Sequence, residues 1–101
     1  MDIKKIGVVG AGTMGNGIAH VFSLHNYKVI LSDIDENMLE KAIKTIMLNL
    51  KRQVKKNIIN ESKLKKTISL IKTTTKINDL KECDLVVEAI KEDFNIKKNL
   101  F

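Results

Sequence analysis

Three glycines at a fixed spacing are the residues of this sequence best suited to chemistry. Gly10, Gly12 and Gly15 come directly after the apolar residues 6–9 and open a segment with helical spacing. In this context the first glycine permits a tight turn, the second lets a pyrophosphate approach the backbone, and the third lets the helix pack on the strand. The helix N-terminus offers free N–H groups to the phosphates. The segment predicts a dinucleotide-binding turn formed by Gly10, Ala11, Gly12, Thr13, Met14 and Gly15.

An acidic residue follows the turn at the distance that a ribose contact requires. Asp33 lies 18 residues after Gly15, at the end of a second apolar run. A carboxylate there accepts hydrogen bonds from both ribose hydroxyls and repels a 2′-phosphate, which favours NAD over NADP. A strand-end cap is the alternative role for Asp33, and a turn without a ligand is the alternative for the glycines. We expect Gly17 to be a further close-packing glycine.

The elements that must position these residues follow from the apolar periodicity. We predict strands over residues 5–9, 28–32, 70–74 and 84–89, and helices over residues 13–25, 36 to about 57, and 61 to about 69. Asp35 is placed to cap the second helix, which is unusually long for a small α/β unit. A last helix is predicted from Glu92 or Asp93 through Leu100. The order indicates an α/β fold, a Rossmann-type parallel sheet with flanking helices that is incomplete at about four strands.

Length and composition narrow the class of protein. A chain of 101 residues is one domain or part of one. The formal net charge is +6, but Arg52 is the only arginine and few aromatic residues accompany the lysines, so we expect no nucleic-acid partner. No apolar run approaches the length of a membrane span. The single cysteine, Cys83, is expected to be a buried or half-buried thiol in a cytoplasmic protein.

Several segments of the sequence together resemble the 3-hydroxyacyl-CoA dehydrogenases, with the bacterial 3-hydroxybutyryl-CoA dehydrogenases as the nearest branch. The similarity covers essentially the whole chain. It rests on the glycine segment Gly-Ala-Gly-Thr-Met-Gly-Asn-Gly-Ile-Ala, on Asp33, on the pair Thr73 and Thr74, and on Asp-Leu-Val-Val-Glu-Ala-Ile-Lys-Glu-Asp over residues 84–93. The long helix after Asp33 is also typical of that family.

This resemblance implies roles for further residues. Ala89 and Glu92 match contacts near the nicotinamide half of NAD, and Lys97 matches a lysine that reaches the cofactor. Asn49 and Lys56 match positions associated with the coenzyme A part of an acyl-CoA substrate. In the family a histidine–glutamate pair acts as general base on the 3-hydroxyl, and its equivalents would lie beyond residue 101. His20 and His25 do not match that pair.

The resemblance therefore describes residues 1–101 as a truncated N-terminal NAD-binding domain. The helical C-terminal domain, through which full-length relatives are expected to form homodimers, is absent from it. The implied reaction is oxidation of a 3-hydroxyacyl-CoA to a 3-oxoacyl-CoA with NAD. Two alternatives stay open at this point: a dehydrogenase of another hydroxy acid, and a non-catalytic dinucleotide-binding module or degenerate fragment.

Overall fold

The computed structural model describes residues 3–90 and 93–98. Within them one sheet is formed by the strands β1 (Lys5–Val9), β2 (Lys28–Ser32), β3 (Ile71–Thr74), β4 (Leu85–Ile90) and β5 (Asp93–Lys98). Their spatial order is β3-β2-β1-β4-β5, with β1 to β4 parallel and β5 antiparallel to β4. The connections contain α1 (Thr13–Leu24), α2 (Glu36–Lys55), α3 (Glu61–Ser69) and a 3₁₀ helix (Ile77–Glu82). The predicted α/β class and the parallel arrangement of the four predicted strands are confirmed, and β5 is an additional antiparallel strand.

The long helix α2 is stabilised by a side-chain cap at its start and by a continuous apolar stripe along one face. The Asp35 side chain accepts a hydrogen bond from the Asn37 N–H at 2.9 Å, which satisfies one of the free donors at the helix start. Its buried residues recur every three or four positions and so share one face: Leu39, Ala42, Ile46 and Leu50. The helix spans 20 residues, close to the length predicted from the sequence.

The main core lies between the helices and one face of the sheet. Alternate residues of three neighbouring strands point into it because side chains alternate across a strand. They are Ile6, Val8, Val29, Leu31 and Val87, and they pack with Ala19 and the buried face of α2.

The opposite face of the sheet is covered by the 3₁₀ helix, in a segment predicted from the sequence to be a polar connection. Its residue Leu80 is buried, and Cys83 is buried directly after it. Both lie against Gly7, where an added Cβ would be 3.0 Å from Leu80 Cδ2 and 3.2 Å from Cys83 Sγ. A Cβ at position 7 would therefore require the Leu80 and Cys83 side chains to shift by a few tenths of an ångström.

The helix predicted from Glu92 or Asp93 is wrong for the described residues 93–98, which form β5. The backbone of β5 pairs with that of β4, from Asp93 opposite Ile90 to Lys98 opposite Leu85. An unpaired edge of β4 exposes N–H and C=O groups that a following strand can satisfy. Phe94 and Ile96 alternate with polar residues, so this short segment fits a strand as well as a helix, and the sheet edge decides between them.

Candidate functional site

The glycine turn lies where the order of the strands reverses. From β1 the chain moves through α1 to β2 and β3 on one side, whereas β4 lies on the other side of β1. The carboxyl ends of β1 and β4 therefore border a crevice, the usual ligand position in an open α/β sheet.

The folded backbone requires glycine at positions 10 and 15. Gly10 has φ +101°, and a Cβ there would lie 2.3 Å from the carbonyl oxygen of Ala89. A Cβ on Gly15 would lie 1.6 Å from the carbonyl oxygen of Gly10. The turn is thus packed against the end of β4 on one side and against the first turn of α1 on the other.

Gly12 differs, because a Cβ there would meet nothing within 4 Å. Among the described residues no side chain caps the start of α1, and its first turn carries no acidic residue. The free N–H groups of that turn and the positive end of the helix dipole therefore face a space that suits an anion. This cradle, which a side chain at position 12 would fill, fits the pyrophosphate of NAD.

Asp33 joins the end of β2 to the glycine turn. Its Oδ2 accepts a hydrogen bond from the Ala11 N–H at 2.9 Å, and its Oδ1 accepts one from the Asp35 N–H at 2.9 Å. The Gly10 N–H donates to the carbonyl of Ser32 at 2.7 Å, which continues the connection between β1 and β2. Asp33 thus holds the turn and still keeps lone pairs on both oxygens for further donors.

The structure brings several of the predicted cofactor residues together. Thr13 is exposed and Met14 half-buried in the first turn of α1, and Ala89 touches the Gly10 position. Glu92 lies outside the described residues. Lys97 lies in β5, and its backbone pairs with that of Val86 near the amino end of β4, so the structure does not bring it to the carboxyl end of β4 beside the turn.

Gly17 does not have the predicted packing role. A Cβ there would meet nothing within 4 Å, and the residue is exposed on α1. The prediction was wrong because helical spacing shows which residues share a face of the helix, but not which residues pack against the rest of the protein. Here the buried face of α1 passes through Gly15, Ala19 and Ser23 and leaves Gly17 outside it.

The two predicted coenzyme A residues lie on α2 and immediately after it. Asn49 is half-buried, and Lys56 is the exposed C-cap residue of the helix. Between them, the Arg52 Nη1 donates a hydrogen bond to the Asn49 Oδ1 at 3.4 Å. Arg52 was not among the predicted residues, and its spacing from Asn49 and Lys56 places all three on one face of the helix.

A separate cleft lies between the start of α2 and the end of β3. It has a volume of about 640 Å³ and is lined by residues that include Leu39, Glu40, Lys44, Thr73 and Asp79. None of the predicted cofactor residues lines it, and β3 is the strand farthest from the crevice beside β4. The candidate cofactor site is therefore the glycine turn and not this cleft.

Two other kinds of feature are missing from the described part of the chain. No group of three or more His, Cys, Asp or Glu residues there could hold a metal ion. Among the helices of this part, none is both long enough and apolar enough to cross a membrane.

Comparison with known proteins gives one consistent family. The model of the 3-hydroxyacyl-CoA dehydrogenase NAD-binding domain matches residues 5–101. A 3-hydroxybutyryl-CoA dehydrogenase of Bradyrhizobium diazoefficiens is 44% identical over 99 residues, which are 98% of this chain and 34% of that protein. A peroxisomal fatty acid beta-oxidation multifunctional protein, MFP2, of Arabidopsis thaliana is 37% identical over 98% of this chain and 14% of its own length.

The solved structures agree. The crystal structure of (S)-3-hydroxybutyryl-CoA dehydrogenase PaaH1 from Ralstonia eutropha superposes with a TM-score of 0.87 at 37% identity. The match covers 91% of this chain and 32% of that one. The chain therefore spans about a third of the length of these two dehydrogenases.

Proposed function

Because the chain belongs to the NAD-binding domain family of the 3-hydroxyacyl-CoA dehydrogenases, we propose that it supplies the cofactor-binding part of such an enzyme. The reaction is reversible oxidation of a 3-hydroxyacyl-CoA to a 3-oxoacyl-CoA, for which bound NAD supplies the hydride acceptor. The observation that carries the proposal is the open position at Gly12, set between the start of α1 and the Asp33 carboxylate. Residues that act on the 3-hydroxyl belong to the portion of the relatives that this chain does not span.

Each described site residue has a distinct task in this proposal. The N–H groups at the start of α1 bind the pyrophosphate, and the free lone pairs of Asp33 accept hydrogen bonds from the adenine ribose. That carboxylate would repel a 2′-phosphate, so NAD is favoured over NADP. The nicotinamide half lies toward the end of β4, where the resemblance assigns it to Ala89 and Glu92. The resemblance also gives Lys97 a contact with the cofactor.

The remaining assignments concern the substrate and the setting. Asn49 and Lys56 bind the coenzyme A part of the substrate, because a lysine ammonium suits a phosphate. Residues 1–101 act as the N-terminal domain of a longer enzyme that forms a homodimer through its helical C-terminal domain. We place that enzyme in the cytoplasm, acting in fatty acid and butanoate metabolism.

The proposal is tested in a hybrid enzyme in which this chain replaces the matching third of the Bradyrhizobium relative. NADH oxidation is followed at increasing concentrations of acetoacetyl-CoA, with free acetoacetate and with NADPH as controls. We expect saturable turnover with acetoacetyl-CoA and NADH, and little with either control. NADH binding to the 101-residue chain is measured separately by calorimetry.

Two results would contradict the proposal. In the first, the chain binds NADH, but the hybrid enzyme reduces other 3-oxo acids or sugar acids and does not turn over the CoA thioester. The other is a folded chain without affinity for NADH. The first result would retain the cofactor site and reject the substrate, whereas the second would reject the cofactor site itself.

A further inference from the structure

The pair Thr73 and Thr74 lies at the carboxyl end of β3 and is given no role by the proposed function. β3 is four residues long and forms an edge of the described sheet, with β2 as its neighbour. Because a short strand at an edge is held by few backbone hydrogen bonds, its end opens more readily than a central strand does. A fixed position for the end of β3 therefore depends on further contacts.

The end of β3 is joined to the residue that is proposed to bind the ribose. Thr74 lies opposite Ser32 in the parallel register of β3 and β2. One residue further along, the Asp33 N–H donates a hydrogen bond to the Thr74 carbonyl at 3.2 Å. The Asp33 carboxylate in turn accepts from the Ala11 N–H of the glycine turn at 2.9 Å. The Thr74 backbone is thus one hydrogen bond away from Asp33 and two from the turn.

The Thr74 side chain fastens this end of β3 to the segment that follows it. Its Oγ1 accepts a hydrogen bond from the Lys76 N–H at 3.0 Å and donates one to the Asp79 carboxylate. The Lys76 carbonyl, at 3.5 Å, is a poorer acceptor, because hydrogen bonds to a charged carboxylate are shorter and stronger. Lys76 is the N-cap residue of the 3₁₀ helix, and Asp79 lies in its first turn. A single hydroxyl therefore joins β3 to the start of that helix.

Resting on the proposed function, we propose that Thr74 is a positioning residue for the Asp33 carboxylate. Its hydroxyl holds the end of β3 on the 3₁₀ helix, and its carbonyl holds the Asp33 backbone. The helix is itself held on the sheet, because Leu80 is buried and lies against Gly7 of β1. Without the hydroxyl, the end of β3 should open more often, and the carboxylate should be less well preorganised for the ribose. Thr74 acts through Asp33 and does not itself need to contact the cofactor.

Thr73 provides a matched control on the same strand. It is exposed, and its side chain points to the opposite face of the sheet from that of Thr74, because side chains alternate along a strand. Among the described residues, its hydroxyl has no hydrogen-bond partner. Replacing either threonine with valine removes a hydroxyl and retains the β-branched shape that favours a strand. The two substitutions therefore differ in the contacts that they remove.

The first experiment measures NADH affinity by calorimetric titration of the hybrid enzyme described above. We expect Thr74→Val to weaken NADH binding by about three- to tenfold, the effect of losing one ordinary hydrogen bond. Thr74→Ser keeps the hydroxyl and should retain most of the affinity, and Thr73→Val should match the wild type. Asp79→Ala removes the other end of the contact from an exposed position, and it should weaken NADH binding in the same direction even if Thr74→Val does not fold.

A double-mutant cycle with Asp33→Ala separates positioning from a general loss of structure. If Thr74 acts through the carboxylate, Thr74→Val should weaken NADH binding no further once Asp33 is alanine. A purely structural role at the sheet edge would instead lower the melting temperature, and the fold-changes of the two substitutions would multiply. The same cycle with Asp79→Ala in place of Thr74→Val should give the same result.

The outcomes separate this inference from the proposed function. If the wild-type hybrid binds NADH and turns over acetoacetyl-CoA, unchanged NADH affinity in Thr74→Val rejects the positioning role and leaves the proposed function standing. Equal losses in Thr74→Val and Thr73→Val, or fold-changes that multiply in the cycle, also reject it. If the folded wild-type hybrid does not bind NADH, the proposed cofactor site is wrong, and Thr74 has no cofactor contact to support.

Discussion

The carboxylate of Asp33 accepts a hydrogen bond from the backbone N–H of Ala11 at 2.9 Å, across 22 residues of chain. This bond fastens the glycine turn to the end of β2. The residue that the sequence assigns to the ribose therefore also holds the glycine turn in place. The proposed cofactor contact and the position of the turn thus depend on the same side chain.

This coupling predicts that replacing Asp33 harms more than one contact. We expect Asp33→Ala to weaken NAD binding by about ten- to a hundredfold, since a hydrogen bond to a charged group contributes about 1.5–3 kcal/mol. The thermal stability should fall as well, because the Ala11 and Asp35 N–H groups lose their acceptor. Calorimetric titration and a melting curve measure the two effects, and unchanged NAD affinity would refute the assignment.

Asp33→Asn separates the two roles. The amide oxygen can still accept one of the two backbone hydrogen bonds, so we expect a smaller loss of stability than in Asp33→Ala. The negative charge is gone, so the ratio of NADP to NAD affinity should rise. Equal NADP affinity in the wild type and in Asp33→Asn would show that the carboxylate does not select the cofactor.

Substitution of Gly15 should damage the turn directly. In Gly15→Ala the new Cβ would lie 1.6 Å from the carbonyl oxygen of Gly10, so the backbone must move. We expect a loss of about 1–3 kcal/mol in the free energy of unfolding, as for other overpacked sites, together with loss of NADH binding. Urea unfolding and NADH fluorescence measure the two effects.

Gly17→Ala is the matched control and should have the opposite effect. Its Cβ would meet nothing within 4 Å, and alanine is favoured over glycine inside a helix by about 1 kcal/mol. For a chain of this size, the melting temperature should rise by about 4–8 °C. A destabilised Gly17→Ala would mean that the N-terminal part of α1 is packed against a neighbour.

Asp84 should make stability depend on acidic pH. Its Oδ2 accepts from the N–H groups of Lys4 and Lys5 at 2.9 and 3.0 Å, and these bonds lower the pKa of the carboxyl below 3.8. A lowered folded-state pKa stabilises the protein above the unfolded-state value, and this contribution is lost as the pH falls through the folded pKa. Urea midpoints between pH 2 and pH 6 should fall at the acid end, and less steeply in Asp84→Asn.

Cys83 should be unreactive in the folded protein. It is 4% exposed, and burial raises the pKa of its thiol to about 11, from 9.0. At pH 8 the thiolate is then about a hundredfold scarcer than in the unfolded chain. A thiol-specific chromogenic disulfide should react slowly with the native chain and rapidly in urea, and equal rates would contradict the burial.

The sequence by itself determined the features that depend on local order. The glycine spacing, the Asp35 cap and the apolar stripe of α2 act within a few residues of each other, so their physical requirements can be read along the chain. Asp33 was located in the same way, from its place at the end of an apolar strand. The family resemblance added residues for the nicotinamide and for coenzyme A, and these assignments stay predictions.

The tertiary structure decided what depends on neighbours distant in sequence. Only the folded chain brings the carbonyl of Ala89 against Gly10 and the Asp33 carboxylate to the Ala11 N–H. The open edge of β4 made a strand of residues 93–98, whose pattern allowed a helix, because unpaired backbone groups are satisfied by a partner strand. Gly17 is exposed although the sequence predicted it to be packed. Packing depends on which surfaces of the folded chain meet, and the order of residues along the chain does not contain that information.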